Sequence, residues 1–116
     1  MLVDTITTRQ EALQLINNYN AVIFKFTATW CGPCKRVAPL VDELYEQVKD
    51  DIVMVIVDID KARDIASFMK IRSVPTMLSY INQQPMDSIL GADKKGIIGF
   101  FNKTYQWSQQ NNALYK

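Results

Sequence analysis

The sequence predicts an α/β fold of three layers, with a central mixed sheet of four to five strands flanked by about four helices. Three observations predict it. Strand-like and helix-like apolar patterns alternate from end to end. The run at residues 52–59, IVMVIVDI, is nearly continuous in apolar residues, as a strand covered on both faces requires. The last two strand-like runs are separated only by Asn82-Gln83-Gln84-Pro85, which predicts an antiparallel hairpin. Strands joined through helices first and by a hairpin last make a mixed sheet.

A short strand is expected at residues 3–5. Thr8-Arg9-Gln10-Glu11 then reads as a capping box, in which the Thr8 hydroxyl and the Glu11 carboxylate cover free N–H groups. Ala12, Leu15, Ile16 and Tyr19 follow at helical spacing. AVIFKFT at Ala21–Thr27 is β-branched and aromatic, hence a strand. The next helix is expected to start around Cys34, with Val37, Val41, Leu44 and Val48 as its stripe and Pro39 as a kink within it. A short helix at residues 63–69 turns Ile65, Phe68 and Met69 inward. Strands at residues 76–81 and 86–90 form the hairpin. Asp93 is placed to cap a last helix running through Ile97, Ile98, Phe101 and Tyr105, with Gly96 and Gly99 each weakening it by roughly 1 kcal/mol.

Length and composition bound the function. The chain has 116 residues, which suits one domain and buries about 65% of its unfolded surface without needing a metal or a disulfide scaffold. One domain is expected over residues 1–105, followed by an extension at 106–116 that is a helical end or a flexible tail. Thirteen Lys+Arg against 12 Asp+Glu leave a net charge of +1, so no basic field for nucleic acid or a membrane surface is expected. With no histidine, His-based nucleophilic catalysis and His-ligated metals are excluded. Two cysteines cannot close a four-ligand zinc site within one chain. Residues 1–10 lack the apolar stretch of a signal peptide, and the longest apolar run, residues 52–57, is far short of a membrane helix. A cytoplasmic, reducing location is therefore expected. There, two cysteines three positions apart point to redox or metal chemistry before a structural bridge.

Trp30-Cys31-Gly32-Pro33-Cys34-Lys35 falls where strand becomes helix. Cys34 is carried into the helix and Cys31 lies at its N-cap or just before it. Unpaired backbone N–H groups and the positive end of the helix dipole then favour a Cys31 thiolate. An ordinary thiol, with pKa about 8.5, is only a few per cent ionised at neutral pH. Two intervening residues allow a small disulfide ring, and Pro33 restricts the chain freedom lost when it closes. The chemistry this suggests is attack of Cys31 on a substrate disulfide, then attack of Cys34 on Cys31 to release the reduced product. A structural bridge and half of an intermolecular zinc site are the alternatives.

Residues 26–35, FTATWCGPCK, resemble the active-site segment of the thioredoxin family. Pro39, Val74-Pro75-Thr76, Asp58-Ile59-Asp60 and Gly91-Ala92 agree with that family's pattern, and the resemblance covers roughly residues 3 to 105. It implies that Cys31 attacks and Cys34 resolves, with Trp30, Gly32, Pro33 and Lys35 supporting them. It also implies that Pro75 is a cis-proline beside the disulfide. Trp30, Ile59, Val74, Pro75, Gly91 and Ala92 would make an apolar substrate rim, with the Val74 backbone pairing to an extended segment. Trp30 as ordinary core is the competing reading. Asp58 and Asp60 read as caps of the following turn rather than as acid and base.

One position departs from the family. Lys25 stands where a buried Asp is usual, and Ile56 where that Asp has a lysine partner. A lysine ammonium near the thiols favours thiolate and makes the disulfide more oxidising, or else the mixed disulfide is resolved by another proton path. Alternatively its head reaches water, or pairs with Asp58. The implied function is protein-disulfide reduction by dithiol–disulfide exchange, in electron transport and cell redox homeostasis. The alternatives are a more oxidising oxidase or isomerase type and a non-catalytic binding module. No cofactor or metal is implied beyond the Cys31–Cys34 disulfide. The implied partners are protein disulfides and an NADPH-linked thioredoxin reductase, with a monomer as the working form. Trp107, Leu114 and Tyr115, in the extension, are read as a docking segment or a frayed helical end.

Overall fold

Five strands order as β1-β3-β2-β4-β5 in the computed structural model, which describes residues 1–114, with side chains through residue 110. In chain order the elements are β1 (Leu2–Val3), α1 (Arg9–Asn18), β2 (Ala21–Thr27), α2 (Gly32–Val48), β3 (Val53–Asp58), α3 (Arg63–Phe68), β4 (Thr76–Ile81), β5 (Gln84–Leu90) and α4 (Lys94–Leu114). β2 is the middle strand, parallel to β3 and antiparallel to β4. The sheet is therefore mixed, as the element order predicts.

Side chains alternate across β2, and this sorts the core into two halves. Ala21 and Ile23 join Met54, Met77 and Ile81 under α2 and α4, where Val37, Val41, Ile97, Phe100 and Phe101 complete the packing. Val22, Phe24 and Phe26 join Val53, Val55 and Val57 on the opposite face, against Ala12 and Ile16 of α1 and Ile65 of α3. The parity places Lys25 on the α2/α4 face. The same parity continues along the strand into the loop that carries the cysteines.

The capping box forms as the sequence predicts, with the Thr8 hydroxyl accepting from Glu11 N–H and the Glu11 carboxylate accepting from Thr8 N–H. Burial matches the prediction less closely at several ends. The first strand is Leu2–Val3 rather than residues 3–5, because those two residues hold the parallel register with Met54 and Val55 of β3. Tyr19 caps α1 in an extended conformation and lies at the surface, outside the inward stripe. α2 begins at Gly32, earlier than Cys34, because Pro33 sits in its first turn, where a missing N–H costs nothing. Phe68 also points outward, with the Arg9 guanidinium 5.0 Å from its ring centre and Arg9 ion-paired to Asp64.

The hairpin turn is two residues long instead of four. Asn82 (φ 51°) and Gln83 (φ 72°) both adopt the left-handed region that the tightest hairpins require. Gln84 and Pro85 therefore belong to β5, an edge strand where a missing donor is tolerated. The register shifts between Ser79 and Tyr80, which skips Met86.

α4 rotates so that Ile97, Phe100, Phe101, Thr104 and Ser108 face inward, leaving Ile98 and Tyr105 outside. Asp93 caps it by accepting from Gly96 N–H at 3.2 Å. Gly96 is there for closeness as well: a Cβ would lie 2.7 Å from Ile89 Cδ1 of β5. The helix continues without a break past residue 105. Trp107 packs on the α2/α4 half of the core, Ser108 is buried, and Asn20 Nδ2 donates to the Ser108 carbonyl. The Leu114 side chain and Tyr115 lie outside the described residues.

Candidate active site

α2 starts at the C-terminal end of β2, so the segment between them is fixed at the top of the middle strand. Cys31 is the N-cap of α2, in an extended conformation, and its sulfur accepts from Cys34 N–H at 3.1 Å. Its own N–H donates to the Ala28 carbonyl, and its carbonyl accepts from Lys35 N–H. The sulfur is thus held on the free donors of a helix start, which favours negative charge there. Cys31 and Cys34 form a disulfide with Cα atoms 5.3 Å apart. Both are buried. They cluster with Ala28, and Ile59 and Val74 pack against them. Ala28 is a site residue that the sequence reading passed over. Its signal is position alone: three residues before Cys31, where its carbonyl closes the turn.

Trp30 stands at the surface, 66% exposed, which excludes the core reading. Its ring is aimed by a 2.8 Å hydrogen bond from Nε1 to Asp60 Oδ2. Asp60 N–H in turn donates to Asp58 Oδ1, so the Asp58 carboxylate caps the turn after β3 as the sequence predicts, whereas the Asp60 carboxylate is turned to Trp30 instead. The Val74–Pro75 peptide is cis. Thr76 Oγ1 anchors this loop by donating to the Ser73 carbonyl, and Gly91 N–H donates to the Pro75 carbonyl at 2.8 Å. Gly91 has φ +90°, a conformation in which any side chain is strained. Ile59, Val74, Pro75 and Gly91 thus converge on the disulfide, while Ala92 packs inward against the α2/α4 core. Gly32, Pro33 and Lys35 lie exposed on the outer side of the helix start.

Lys25 enters the site from beneath. It lines one narrow cleft with Cys34, Pro75 and Gly91, floored by Val37 and Met77, with ≈ 10 Å³ of room, about one water molecule. The residue is only 8% exposed. Among the described residues its side chain makes no hydrogen bond or ion pair, so the pairing with Asp58 does not form. Its β2 register neighbours are Ile56 and Met77, neither of which can accept a proton. Burial holds the Lys25 pKa below the usual 10.5, and the Asp42 carboxylate opposes that shift only in part.

The sign of the resulting pH dependence is determined. An unfolded chain keeps the Lys25 proton up to about pH 10.5, whereas the folded chain gives it up sooner. Folding is therefore penalised most below the folded pKa, and stability rises as pH climbs toward 10.5. Lys25→Met is expected to stabilise the oxidised protein by about 1–3 kcal/mol at pH 7, and by less at pH 10. Urea unfolding at the two pH values checks this; an equal difference at both would refute it.

No cluster of three or more Cys, Asp or Glu side chains suited to a metal ion occurs among the described residues, and no described helix is long and apolar enough to cross a membrane.

Residues 4–103 match the family model for thioredoxin. The chain is 39% identical over 89 residues to thioredoxin 1 of Synechococcus elongatus, covering 77% of this chain and 80% of that protein. It is 34% identical over 104 residues to the thioredoxin of Coprinus comatus, covering 89% of this chain and 98% of that one. Among solved structures, it resembles Plasmodium falciparum thioredoxin with a TM-score of 0.79 at 32% identity, over 87% of this chain and 97% of that one. Oxidised mitochondrial thioredoxin 3 of Saccharomyces cerevisiae superposes with a TM-score of 0.81 at 27% identity, over 88% of this chain and 94% of that one.

Proposed function

The chain belongs to the thioredoxin family, and from that premise we propose how its residues divide the work. It reduces protein disulfides by dithiol–disulfide exchange. Cys31 is the attacking thiol and Cys34 the resolving thiol. The observation that carries this assignment is the Cys31 sulfur at the N-cap of α2, accepting from Cys34 N–H. The helix start stabilises a thiolate on Cys31 more than on Cys34, which lies within the first turn. A Cys31 thiolate attacks one sulfur of the substrate disulfide, and a mixed disulfide forms as the other sulfur leaves. Cys34 then displaces the substrate and closes the 31–34 ring.

Trp30, Ile59, Val74, Pro75 and Gly91 form the rim on which an extended substrate segment lies, and the Val74 backbone pairs with it. No cofactor is needed beyond the dithiol. An NADPH-linked thioredoxin reductase returns the disulfide to the dithiol, and the protein works as a cytoplasmic monomer.

Insulin reduction tests the reading. With NADPH and a thioredoxin reductase, NADPH consumption is expected to depend on this protein. Acceleration with dithiothreitol but none with the reductase would exclude that partner. No acceleration with either would favour a binding module. Lys25 favours a second reading, a more oxidising member of the family. Equilibration with glutathione separates the two: about −270 mV fits a general reductant, and about −180 mV an isomerase-like protein.

A further inference from the structure

We propose that Lys25 is the proton acceptor for the Cys34 thiol in the resolving step. This inference rests on the reading of Cys34 as the resolving thiol and assigns that step its missing base. The need is chemical: a buried thiol must lose a proton before it can attack, and the chain holds no histidine. Lys25 and Cys34 are the two ionisable groups that line the narrow cleft under the disulfide. Asp42 of α2 is the carboxylate whose charge acts on Lys25. The facing positions of β3, β4 and α4 are Ile56, Met77 and Ile97, none of which titrates.

Lys25 is suited to the task because of what it lacks. A lysine that is 8% exposed, whose side chain has no hydrogen-bond or ion-pair partner among the described residues, loses much of the solvation that normally keeps it protonated. Burial lowers its pKa accordingly, so the neutral amine is easier to reach than it is for a surface lysine. A thiolate formed beside it then stabilises the new ammonium, and the pair shares one proton.

The step balances. The Lys25 amine takes the proton from Cys34 Sγ. The Cys34 thiolate attacks Cys31 Sγ, the Cys31–Cys34 bond forms, and the bond from Cys31 to the substrate sulfur breaks. The electron pair leaves with the substrate thiolate, which takes the proton from the Lys25 ammonium. The enzyme dithiol is oxidised and the substrate disulfide is reduced, with no other reactant.

The test uses the reduced full-length protein and 5,5′-dithiobis(2-nitrobenzoate) in stopped flow. The first coloured thiolate reports attack by Cys31, and the second reports resolution by Cys34. Lys25→Met is expected to leave the first phase unchanged and slow the second about 10²-fold at pH 7. The deficit is expected to shrink as pH rises, because hydroxide increasingly ionises the Cys34 thiol without help from the amine. Lys25→Asp, a proton acceptor of opposite charge type, is expected to restore the second phase to within about tenfold. A second phase as fast in Lys25→Met as in wild type would overturn the proposal. So would a Lys25→Asp protein slower than Lys25→Met, since that would mean Lys25 acts by its positive charge. A wild type lacking the first phase would instead overturn the assignment of Cys31, which the Lys25 variants do not touch.

Discussion

Cys31→Ser is expected to lose disulfide reduction by about 10³-fold or more, to the level of dithiothreitol alone. The helix start that stabilises a thiolate cannot do the same for serine, whose hydroxyl ionises far outside the physiological range. The Cys31 main-chain bonds to Ala28 and Lys35 need no sulfur, so the loss is chemical and the fold stays intact. Cys34→Ser separates the two thiols. It is expected to attack once and stop, holding the substrate as a mixed disulfide visible by mass spectrometry. Insulin reduction retained in Cys31→Ser would refute the assignment. Retained biological activity in both variants would return the protein to the binding-module class.

Phe24→Ala is expected to cost about 3–5 kcal/mol, the largest stability loss we assign to a single residue. Phe24 is fully buried in the middle strand, with its ring 6.4 Å from that of Phe26 and edge-on to Tyr80 at 5.8 Å. Strands pair with β2 on both sides, so the neighbours cannot collapse into the space left behind. Against a total of roughly 5–15 kcal/mol, such a loss leaves the chain marginal at growth temperatures. Phe68→Ala, on an exposed ring beside Arg9, is expected to cost less than about 1 kcal/mol. Urea unfolding of the two variants checks the contrast. Equal midpoints would mean that the α1/α3 half of the core does not bear the fold.

The two phenylalanines also show how far a sequence can be read. Both sit in apolar patterns of the right period, and only one is inside. Period tells which residues share a face. Which member of that face meets another element depends on where the neighbouring helix or strand crosses. In α3 the crossing favours Ile65 and Ala66 and leaves Phe68 to Arg9. In α4 it favours Phe100 over Ile98. The hairpin turn was hidden for a different reason. Asn82 tolerates positive φ, but Gln83 adopts it with no glycine to announce it, so the sheet register rather than its own preference holds Gln83 there.

The site divides along the same line. The dithiol, its spacing and its place at a helix start are local, and local chemistry is written in consecutive residues. Trp30 on the rim needed the Asp60 hydrogen bond to locate it, and Asp60 arrives from another strand end, 30 positions away. Gly91 reaches Pro75 only because β4 and β5 pair.

Lys25 draws the boundary most sharply. Sequence alone determined the α/β order, the capping box, the strand that contains Lys25 and the thiol chemistry beside it, because each depends on contacts between near neighbours in the chain. It left the ammonium free to reach water, pair with Asp58 or face the thiols. The tertiary structure decided among these: strand parity turned Lys25 toward α2, and packing closed the cleft around it and Cys34. The ionisation of Lys25 depends on that enclosure, because removing water from around a charge requires walls from β2, α2, β4 and α4 at once. No run of adjacent residues encodes such a meeting.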